Sequence, residues 1–373
     1  MIIAIDGRSL QGAQGGVDIY VYQLLTHFFT HHANHSYILF FNGSKRIVNP
    51  FKSYQCLQVI HTGIPSKLFN ASLALVHRPK LDVLLERVSG KRIDLFFLPN
   101  LNFAAFSQHV KIVLTIHDLS FVHYRLQQSR KSRWWHASLR PETLIHRSQH
   151  IIAVSENTKK DVVSTFGIDS SKISTIHLGV ENTNLPDRGS TGELPMILAF
   201  CPQEKRKNIE ALIEAFSCAR LSDERLDNAY LVLAGVSTLP PSIKNTIRKL
   251  RLTKWVHIVR AVSRDHRLAL LRSARICAYP SIYEGFGFPP LEANLMGVPV
   301  IAGAHSCLPE ISGSTAWLCD PYNITELSHA MITLYTDEGI RGSLIRGSAT
   351  ITQKYQWSET ARQTIQLFEK VCE

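Results

Sequence analysis

Short apolar runs alternate with longer amphipathic stretches through the first half of the chain. The apolar runs predict strands at IIAID, YILFF, CLQVIH, DLFFLP, KIVLTIH, HIIAVS and ISTIHL. Between the first two, VDIYVYQLLTHFF places Val17, Val21 and Leu24 at helical spacing. Because strands that alternate with helices are typical of parallel α/β layers, the first half predicts one such domain.

A second series of the same kind follows residues 179–195. That stretch, GVENTNLPDRGSTGELP, is rich in Gly, Pro, Asn and Ser and lacks periodicity, which is typical of a linker. After it, strands are predicted at MILAFC, AYLVLAG, VHIVR, ICAYPS, VPVIAG and AWLCD, with helices between them and to the end of the chain. We therefore expect two Rossmann-like α/β domains with parallel sheets facing an inter-domain cleft. Ligands of such sheets bind outside the carboxyl ends of the strands.

The composition fits a folded protein without a membrane span. The 373 residues are 45% hydrophobic and 19% charged. No apolar run reaches the roughly 18 residues that a spanning helix needs. The N-terminus, MIIAIDGRSL, has no basic region ahead of its apolar residues, so we interpret it as a strand rather than a signal peptide. Seven scattered cysteines without a CxxC motif favour a reducing, cytoplasmic setting.

The net charge is +11 and lies mainly in the first half. Residues 1–187 hold 20 Lys and Arg against 12 Asp and Glu. A basic half indicates an anionic partner, which could be a phosphate-bearing substrate, a membrane surface or a nucleic acid. The alternative is an ordinary solvated basic surface.

The stretch YPSIYEGFGFPPLEANLMGVPVI, residues 279–301, places two carboxylates around glycines and a Pro-Pro pair. Gly285 and Gly287 permit positive φ and leave backbone N–H groups bare, and the prolines suit a helix start. We therefore expect Glu292 in the first helical turn and Glu284 in the loop before it. Bare amides and a helix N-terminus suit a pyrophosphate, while carboxylates accept hydrogen bonds from hydroxyls of a ribose or sugar. The alternative is that Glu292 complements the helix dipole and Glu284 is a solvated loop acid.

This stretch, with LPEISGSTAWLCDP after it, resembles the signature of the retaining glycosyltransferases of family 4. Glu284 and Glu292 match the E-x7-E pattern of that family. Further matches are the N-terminal glycine loop, LTIHDLSF, IIAVSENTKKD, KRKNIEALIEAF and LVLAG. The matches run from residue 6 to about residue 357, so the resemblance covers most of the chain.

The resemblance implies the GT-B fold, an α/β architecture of two Rossmann-like domains with the active site between them. Residues 1–187 would form an acceptor-binding domain, and residues 188–356 a nucleotide-sugar-binding domain. Residues 357–373 would form a helix that crosses back to the N-terminal domain.

The resemblance also implies roles for the acidic loop. Glu284 would contact hydroxyls of the donor sugar and take part in catalysis, whereas Glu292 would hold the ribose. Gly285, Phe286 and Gly287 would bring backbone amides to the diphosphate and sugar.

A basic segment, KRKN, matches the part of the family that neutralises the donor diphosphate. Lys207 is the leading candidate, with Arg206 beside it, because cations stabilise a nucleoside diphosphate as it leaves. The alternative is a charged helix entry. Many relatives have a Gly-Arg pair where this chain has Cys201-Pro202. Binding of the diphosphate is therefore expected to depend more on Lys207 and Arg206.

Two further sites are implied in the N-terminal half. Gly15 and Gly16, in QGAQGGVDIY, would approach the donor phosphate or the acceptor, although a plain strand-to-helix turn is the alternative. His117, in TIHDL, would contact the donor sugar near the reacting carbon. Asp118 would orient His117 or face the acceptor. A structural role for the histidine is the alternative.

The resemblance implies a retaining transfer in which a diphosphate oxygen takes the acceptor proton. No residue of the sequence has the setting of a buried nucleophile beside a base. The chain has no Asp-x-Asp motif, so we expect no metal and no other cofactor. The histidine cluster THHANH, residues 30–35, is interpreted as an exposed loop. GDP-mannose is the leading donor, with UDP-sugars and a rhamnose donor as alternatives.

Residues 124–147 combine basic side chains with Trp134 and Trp135. Such a segment suits an anionic membrane surface or a lipid-linked glycan acceptor. The alternative is an ordinary helix whose tryptophans belong to the core. We expect a cytoplasmic protein that is peripheral on the inner face of the membrane. A non-enzymatic nucleic-acid binder is the competing class, but the sequence lacks motifs that read DNA or RNA.

Overall fold

The chain forms two compact units in the computed structural model. One comprises residues 1–179 and 355–373, and the other residues 180–354. The predicted boundary at residues 187/188 and most of the predicted linker lie outside the described residues. The structure describes residues 1–11, 15–44, 49, 51, 54–181, 193–200, 204–236, 238–260 and 262–373.

The first unit contains a seven-stranded sheet in the order β3-β2-β1-β4-β5-β6-β7. Every pairing is parallel. The inner strands are mostly apolar and buried because helices cover both faces of such a sheet. The strands are β1 (Ile2–Asp6), β2 (Ser36–Phe41), β3 (Leu57–His61), β4 (Leu95–Leu98), β5 (Lys111–Ile116), β6 (His150–Ala153) and β7 (Ile173–Thr175).

The second unit contains a six-stranded sheet in the order β10-β9-β8-β11-β12-β13, again parallel throughout. The predicted α/β class with two parallel sheets is thus confirmed, whereas the cleft between the domains stays a prediction. The strands are β8 (Met196–Phe200), β9 (Tyr230–Ala234), β10 (Val256–Val259), β11 (Ile276–Tyr279), β12 (Val300–Gly303) and β13 (Ala316–Cys319).

Helices follow most of the strands, as expected for βαβ units. The side chain of Ser155 accepts a hydrogen bond from the Thr158 amide and so caps the helix that begins at Glu156. The helices are α1 (Gly16–His31), α2 (Ser66–Leu75), α3 (Leu81–Ser89), α4 (Ser120–His123), α5 (Arg130–Leu139), α6 (Pro141–Arg147), α7 (Glu156–Phe166), α8 (Ile209–Ser222), α9 (Pro241–Lys249), α10 (Arg264–Ser273), α11 (Phe288–Leu295), α12 (Leu308–Ser312), α13 (Ile324–Thr336), α14 (Glu338–Gly347), α15 (Ala349–Lys354) and α16 (Trp357–Cys372).

The C-terminal helix α16 packs against α1 in the first unit. The ring of Phe368 lies with its centroid 5.9 Å from that of Phe28 in α1 and 5.0 Å from that of Phe97 in β4. The Lys111 ammonium donates a hydrogen bond to the Val371 carbonyl over 2.7 Å. The last helix therefore belongs to the core that the N-terminal residues build. Among the described residues, no helix is long and apolar enough to cross a membrane.

The interpretation of THHANH as an exposed loop holds only in part. Helix α1 continues to His31, so the first two residues of this stretch are helical, and exposure ends at His35. His35 is buried, and its Nε2 lies 3.3 Å from the Glu369 Oε1 of α16. Burial and the neighbouring positive groups lower the pKa of His35, although Glu369 opposes them.

The packing of α16 gives a first prediction, made with two substitutions in that helix. Phe368→Ala should lower the free energy of unfolding by about 3–5 kcal/mol because it leaves a cavity among fully buried rings. Gln366→Ala, on the exposed face of α16, should change it by less than about 0.5 kcal/mol. Urea denaturation followed by circular dichroism measures both. Equal losses in the two variants would show that α16 is not part of the core.

Candidate functional site

The acidic loop and the basic segment meet because their strands are neighbours. Residues 280–287 follow β11, and residues 204–208 come after β8, which pairs with β11. The strand order runs outward in opposite directions from this pair, so the two loops leave the sheet at its topological switch point. Parallel α/β sheets bind ligands at that point, beyond the carboxyl ends of the strands.

The centre of this edge is the Glu284 carboxylate, which is buried. Its Oε1 accepts hydrogen bonds from Lys207 Nζ at 2.5 Å, from the Tyr279 hydroxyl at 2.7 Å and from Ser281 Oγ at 2.5 Å. Its Oε2 accepts one from Arg206 Nη1 at 2.7 Å. These five residues are called the Glu284 cluster below. The structure thus brings together the predicted sugar contact and both predicted diphosphate contacts.

The cations decide the charge state of this carboxylate. Burial alone would raise the pKa of Glu284, but the charges of Lys207 and Arg206, with hydrogen bonds from Lys207 and Ser281, hold it at about 2. Burial and the nearby carboxylate raise the pKa of Tyr279 well above its usual value, so the phenol stays protonated and donates. Glu284 is therefore ionised at neutral pH, and the expectation of a solvated loop acid is wrong.

The backbone of the loop is held as firmly as its carboxylate. Ser306 Oγ donates to the Glu284 carbonyl over 2.7 Å and accepts from the Glu284 amide over 3.2 Å. Gly303 ends β12 against Ser281, and a Cβ at that glycine would lie 2.3 Å from the Ser281 carbonyl oxygen. Gly287 has φ 91° where it precedes α11, a conformation that favours glycine. Phe286, the other predicted loop contact, is buried beside Phe288.

The second carboxylate, Glu292, lies one residue further along α11 than predicted. The helix begins at Phe288, ahead of the Pro-Pro pair, so Glu292 is its fifth residue and the expected first-turn position is wrong. Its Oε2 pairs with the guanidinium of Arg267 in α10. The Cζ of Arg267 also lies 4.8 Å from the ring centroid of Phe200, at the end of β8. Burial raises the pKa of Glu292, and Arg267 opposes that rise.

In the first unit, His117 follows β5 and is held by the backbone. Its Nε2 donates to the Pro99 carbonyl over 2.9 Å, and the Tyr20 ring meets it edge-on at 4.9 Å between centroids. Burial lowers the pKa of His117, although the Pro99 hydrogen bond and Asp118 oppose that shift, so the ring is neutral at pH 7. The Asp118 carboxylate accepts a hydrogen bond from the Ser120 amide rather than from His117.

Gly15 and Gly16 lie at the start of α1 and are exposed. Gly15 donates its amide to the Asp18 carboxylate over 3.0 Å, which is the contact of an ordinary helix start. A role for these glycines in binding the donor or the acceptor stays a prediction. Cys201 and Pro202 lie outside the described residues.

Sequence reasoning missed several side chains that complete the site. Tyr279 and Ser281 stand inside the quoted stretch, where their closeness to Glu284 was the available signal. Ser306 and Arg267 gave no signal, since each lies more than 20 residues from its partner. Within the described residues, no three His, Cys, Asp or Glu side chains group as metal ligands would. The expectation of no cofactor stays a prediction.

The chain is similar to two known sequence families. Residues 14–183 match "Glycosyltransferase Family 4", and residues 184–350 match "Glycosyl transferases group 1". Together the two matches cover nearly the whole chain, with one match for each half.

Curated relatives of the chain include two mannosyltransferases of Escherichia coli. The serotype-specific mannosyltransferase WbdA is 27% identical over 244 residues, which are 60% of this chain and 29% of that protein. O-antigen chain mannosyltransferase B is 26% identical over 273 residues, which are 69% of this chain and 70% of that protein. The chain thus spans less than a third of the first relative and about two thirds of the second.

Solved structures similar to this one cover the whole chain. Sucrose-phosphate synthase from Thermosynechococcus elongatus has a TM-score of 0.71 at 20% identity, over 99% of this chain and 98% of that one. HepE from Anabaena, in complex with UDP and glucose, has a TM-score of 0.70 at 16% identity, over 99% and 100%. At these identities the likeness shows the fold, and the predicted GT-B class is confirmed.

The Glu284 cluster gives a prediction about stability. Lys207→Met should lower the free energy of unfolding by about 3–5 kcal/mol at pH 7, because it leaves a buried carboxylate short of a partner. Lys205→Met, two residues away and exposed, should change it by less than about 0.5 kcal/mol. Urea denaturation at pH 7 and pH 3 compares the two variants.

The contribution of Glu284 to the free energy of unfolding should depend on pH in a known direction. The pKa of Glu284 is about 2 in the folded protein and ordinary, about 4.3, in the unfolded chain. Its contribution to stability is therefore complete above pH ~4.5 and is lost as the pH falls toward 2. The penalty of Lys207→Met should accordingly be smaller at pH 3 than at pH 7. A penalty that is small at both values would contradict the geometry of the cluster.

Proposed function

This chain belongs to the glycosyltransferases of family 4, and we propose that it transfers mannose from GDP-mannose to a glycan or lipid-linked glycan, with retention of the anomeric configuration. Both curated relatives named above are mannosyltransferases, which supports mannose as the sugar. A UDP-sugar is the alternative donor.

The observation that carries this proposal is the Glu284 cluster at the switch point of the second sheet. Such an edge is where parallel α/β sheets bind nucleotides. Two cations and a carboxylate are fixed there before any ligand arrives. A donor sugar needs cations for its diphosphate and acceptors for its hydroxyls, and this cluster contains both.

Lys207 and Arg206 can serve the diphosphate without releasing Glu284. An ammonium has three N–H donors and a guanidinium has five, so each can contact the carboxylate and a phosphate oxygen together. In this proposal the amides of Gly285 and Gly287 assist the same diphosphate. Glu284, fixed by its partners, then presents its remaining lone pairs to hydroxyls of the sugar.

Glu292 holds the ribose in this proposal. Both ribose hydroxyls are donors, and an ionised carboxylate accepts from both. Arg267 opposes the rise in the pKa of Glu292 that burial causes, and their ion pair points the carboxylate in one direction. Arg267 is in turn placed by the Phe200 ring, so the end of β8 contributes to the same binding site.

The transfer itself needs little covalent chemistry from the protein. The sugar–phosphate bond breaks, and the diphosphate leaves with the bonding electron pair. Its charge is stabilised by Lys207 and Arg206, which do the work that a metal does in other transferases. The acceptor hydroxyl attacks from the same face and gives its proton to a diphosphate oxygen. His117, neutral and fixed to Pro99, contacts the sugar as a hydrogen-bonding group rather than as a charge.

The acceptor side of the proposal concerns helix α5. Trp134 is 72% exposed and Trp135 is 38% exposed, so the alternative that both belong to the core is wrong. Exposed tryptophans among arginines suit the interface of an anionic membrane. We propose that the protein works as a peripheral enzyme on the inner face of the cytoplasmic membrane, where lipid-linked glycans are extended.

The function is tested by measuring turnover with GDP-mannose, UDP-glucose and other nucleotide sugars. Glu284→Gln should lower kcat/KM with the best donor by at least about 100-fold, because it removes the negative charge that faces the reacting sugar. Glu292→Gln should act mainly through a higher KM for the donor. Glu210→Gln, exposed at the start of α8, is the matched control and should behave as wild type. Near-normal turnover in both site variants, with circular dichroism unchanged, would refute the assignment.

The Arg267 ion pair predicts a shifted pH profile for nucleotide binding. Loss of Arg267 raises the pKa of Glu292 further, so protonation begins at a higher pH and ribose binding is lost there. In Arg267→Leu the acid limb of GDP affinity should therefore move to higher pH. Arg267→Lys should restore most of the profile, and exposed Arg248→Leu should leave it unchanged. Titration calorimetry from pH 5 to 8 measures GDP affinity in the wild type and the three variants. Coincident pH profiles for all four proteins would contradict the ion pair between Arg267 and Glu292.

A further inference from the structure

A pocket lies wholly inside the first unit, and none of its lining residues belongs to the Glu284 cluster. Its volume is about 170 Å³, and it is walled by the end of α2, the loop after β4 and the α5–α6 junction. It is called the His77–Arg140 pocket here. Its size is close to the ~150 Å³ that admits one benzene ring, and below the range of pockets that enclose a whole drug-sized ligand. The pocket can therefore hold one end of a molecule but not a nucleotide sugar.

The charge on this pocket has a single sign. The ionisable residues that line it are His77, Lys80, Arg140 and Arg147, and no Asp or Glu is among them. Arg140 Nη1 lies 3.0 Å from His77 Nε2 and donates to it. Arg147 is occupied by backbone carbonyls, including that of Ser107 at 2.7 Å, so it supplies charge more than free donors. Lys80, Arg140 and Arg147 are the cations of this lining, and their charge fits a phosphate.

The backbone that presents these side chains is strained. His77 has φ 55° and Arg140 has φ 50°, the left-handed region that residues with a Cβ adopt at a cost. The two residues belong to different segments, yet both turn in this way and their side chains meet at the pocket. Arg140 is the left-handed C-cap of α5, and His77 follows the C-cap of α2, so both turns end a helix. Backbone of this kind also clusters at ligand sites.

The remaining wall of the pocket is apolar. Leu73, Phe103 and Leu139 are buried and belong to the main core cluster of the unit, so this wall is firm. Beside the pocket, Leu75 is 80% exposed and Val76 is 64% exposed. These two side chains place an apolar surface beside the basic lining of the pocket.

We propose that the His77–Arg140 pocket binds an aliphatic phosphoester, with the phosphate on Arg140, His77 and Lys80 and the first methylene groups along Leu73 and Phe103. The occupant is a lipid phosphate, and the exposed side chains beside the pocket take the rest of its chain. This inference rests on the proposed function for one point, namely that such a lipid carries the acceptor glycan.

A series of ring contacts connects the pocket with Asp118, the predicted acceptor contact. Phe103 meets the Trp135 ring at 5.8 Å between centroids, and Trp135 meets His136 at 4.9 Å. His136 stacks on Phe121 at 5.0 Å and is close enough to Asp118 for that charge to oppose the lowering of its pKa by burial. A lipid held in the pocket would therefore carry its glycan past these rings toward Asp118.

The test uses the full chain and dodecyl phosphate, at concentrations where it is monomeric. Titration calorimetry without nucleotide measures its affinity, with inorganic phosphate, dodecanol and phosphatidylglycerol vesicles as separate probes. GDP binding is measured in parallel, because it reports on the second unit. Failure of GDP to bind would refute the proposed function, and failure of dodecyl phosphate to bind would refute the pocket.

The variants are chosen to keep the fold. Arg140→Asn removes the charge at a left-handed position that Asn tolerates. It should weaken the binding of dodecyl phosphate at least about tenfold. Arg251 has φ 56° in the second unit, so Arg251→Asn is the matched control and should bind as wild type. Ala74→Phe fills the pocket without touching a charge and should also weaken binding. GDP affinity should be the same in all three variants.

Three results would overturn the proposal. One is equal affinity for dodecyl phosphate in wild type, Arg140→Asn and Ala74→Phe. Another is an affinity for inorganic phosphate or for dodecanol that matches that for dodecyl phosphate, since the pocket would then recognise only one part of the molecule. The third is binding to the vesicles alone, with no uptake of the monomer, which would indicate a membrane surface rather than a pocket.

Discussion

A carboxylate as buried as that of Glu284 must be matched by cations and hydroxyls from its surroundings. An isolated buried charge would cost several kcal/mol or more, whereas this one accepts hydrogen bonds from Lys207, Arg206, Tyr279 and Ser281. That requirement ties the loop after β8 to the loop after β11. A cluster of charges is thus held at the edge of the sheet in advance of any ligand, and such preorganisation is what electrostatic catalysis requires.

In the proposed function, the two units recognise different ligands. The second unit offers fixed charges and hydrogen-bond acceptors, which suit the diphosphate, ribose and sugar of a donor. The first unit offers the neutral, backbone-bound His117 and, on another surface, a basic pocket with an apolar wall. That division follows from charge, since the excess of basic residues lies in residues 1–187.

Much of the fold and part of the site could be predicted from the sequence. Parallel sheets buried on both faces produce continuous apolar runs, so the strands and both domains were clear from the pattern. The contact between Lys207 and Glu284 could not be predicted from the sequence. These residues are 77 positions apart and meet only because their strands are neighbours in the sheet. Glu292 was misplaced by one residue, just past the first turn, because α11 begins before its prolines. The partner of Glu292, Arg267, lies in a separate helix that carries no motif.

A crystal structure of the chain with GDP-mannose would show whether the Glu284 cluster binds the donor. Density for the diphosphate is expected within hydrogen-bond distance of Lys207 and Arg206. The ribose hydroxyls should lie on Glu292, and the mannose hydroxyls on a Glu284 that has not moved. Nucleotide bound elsewhere, with the Glu284 cluster unchanged and untouched, would contradict the account.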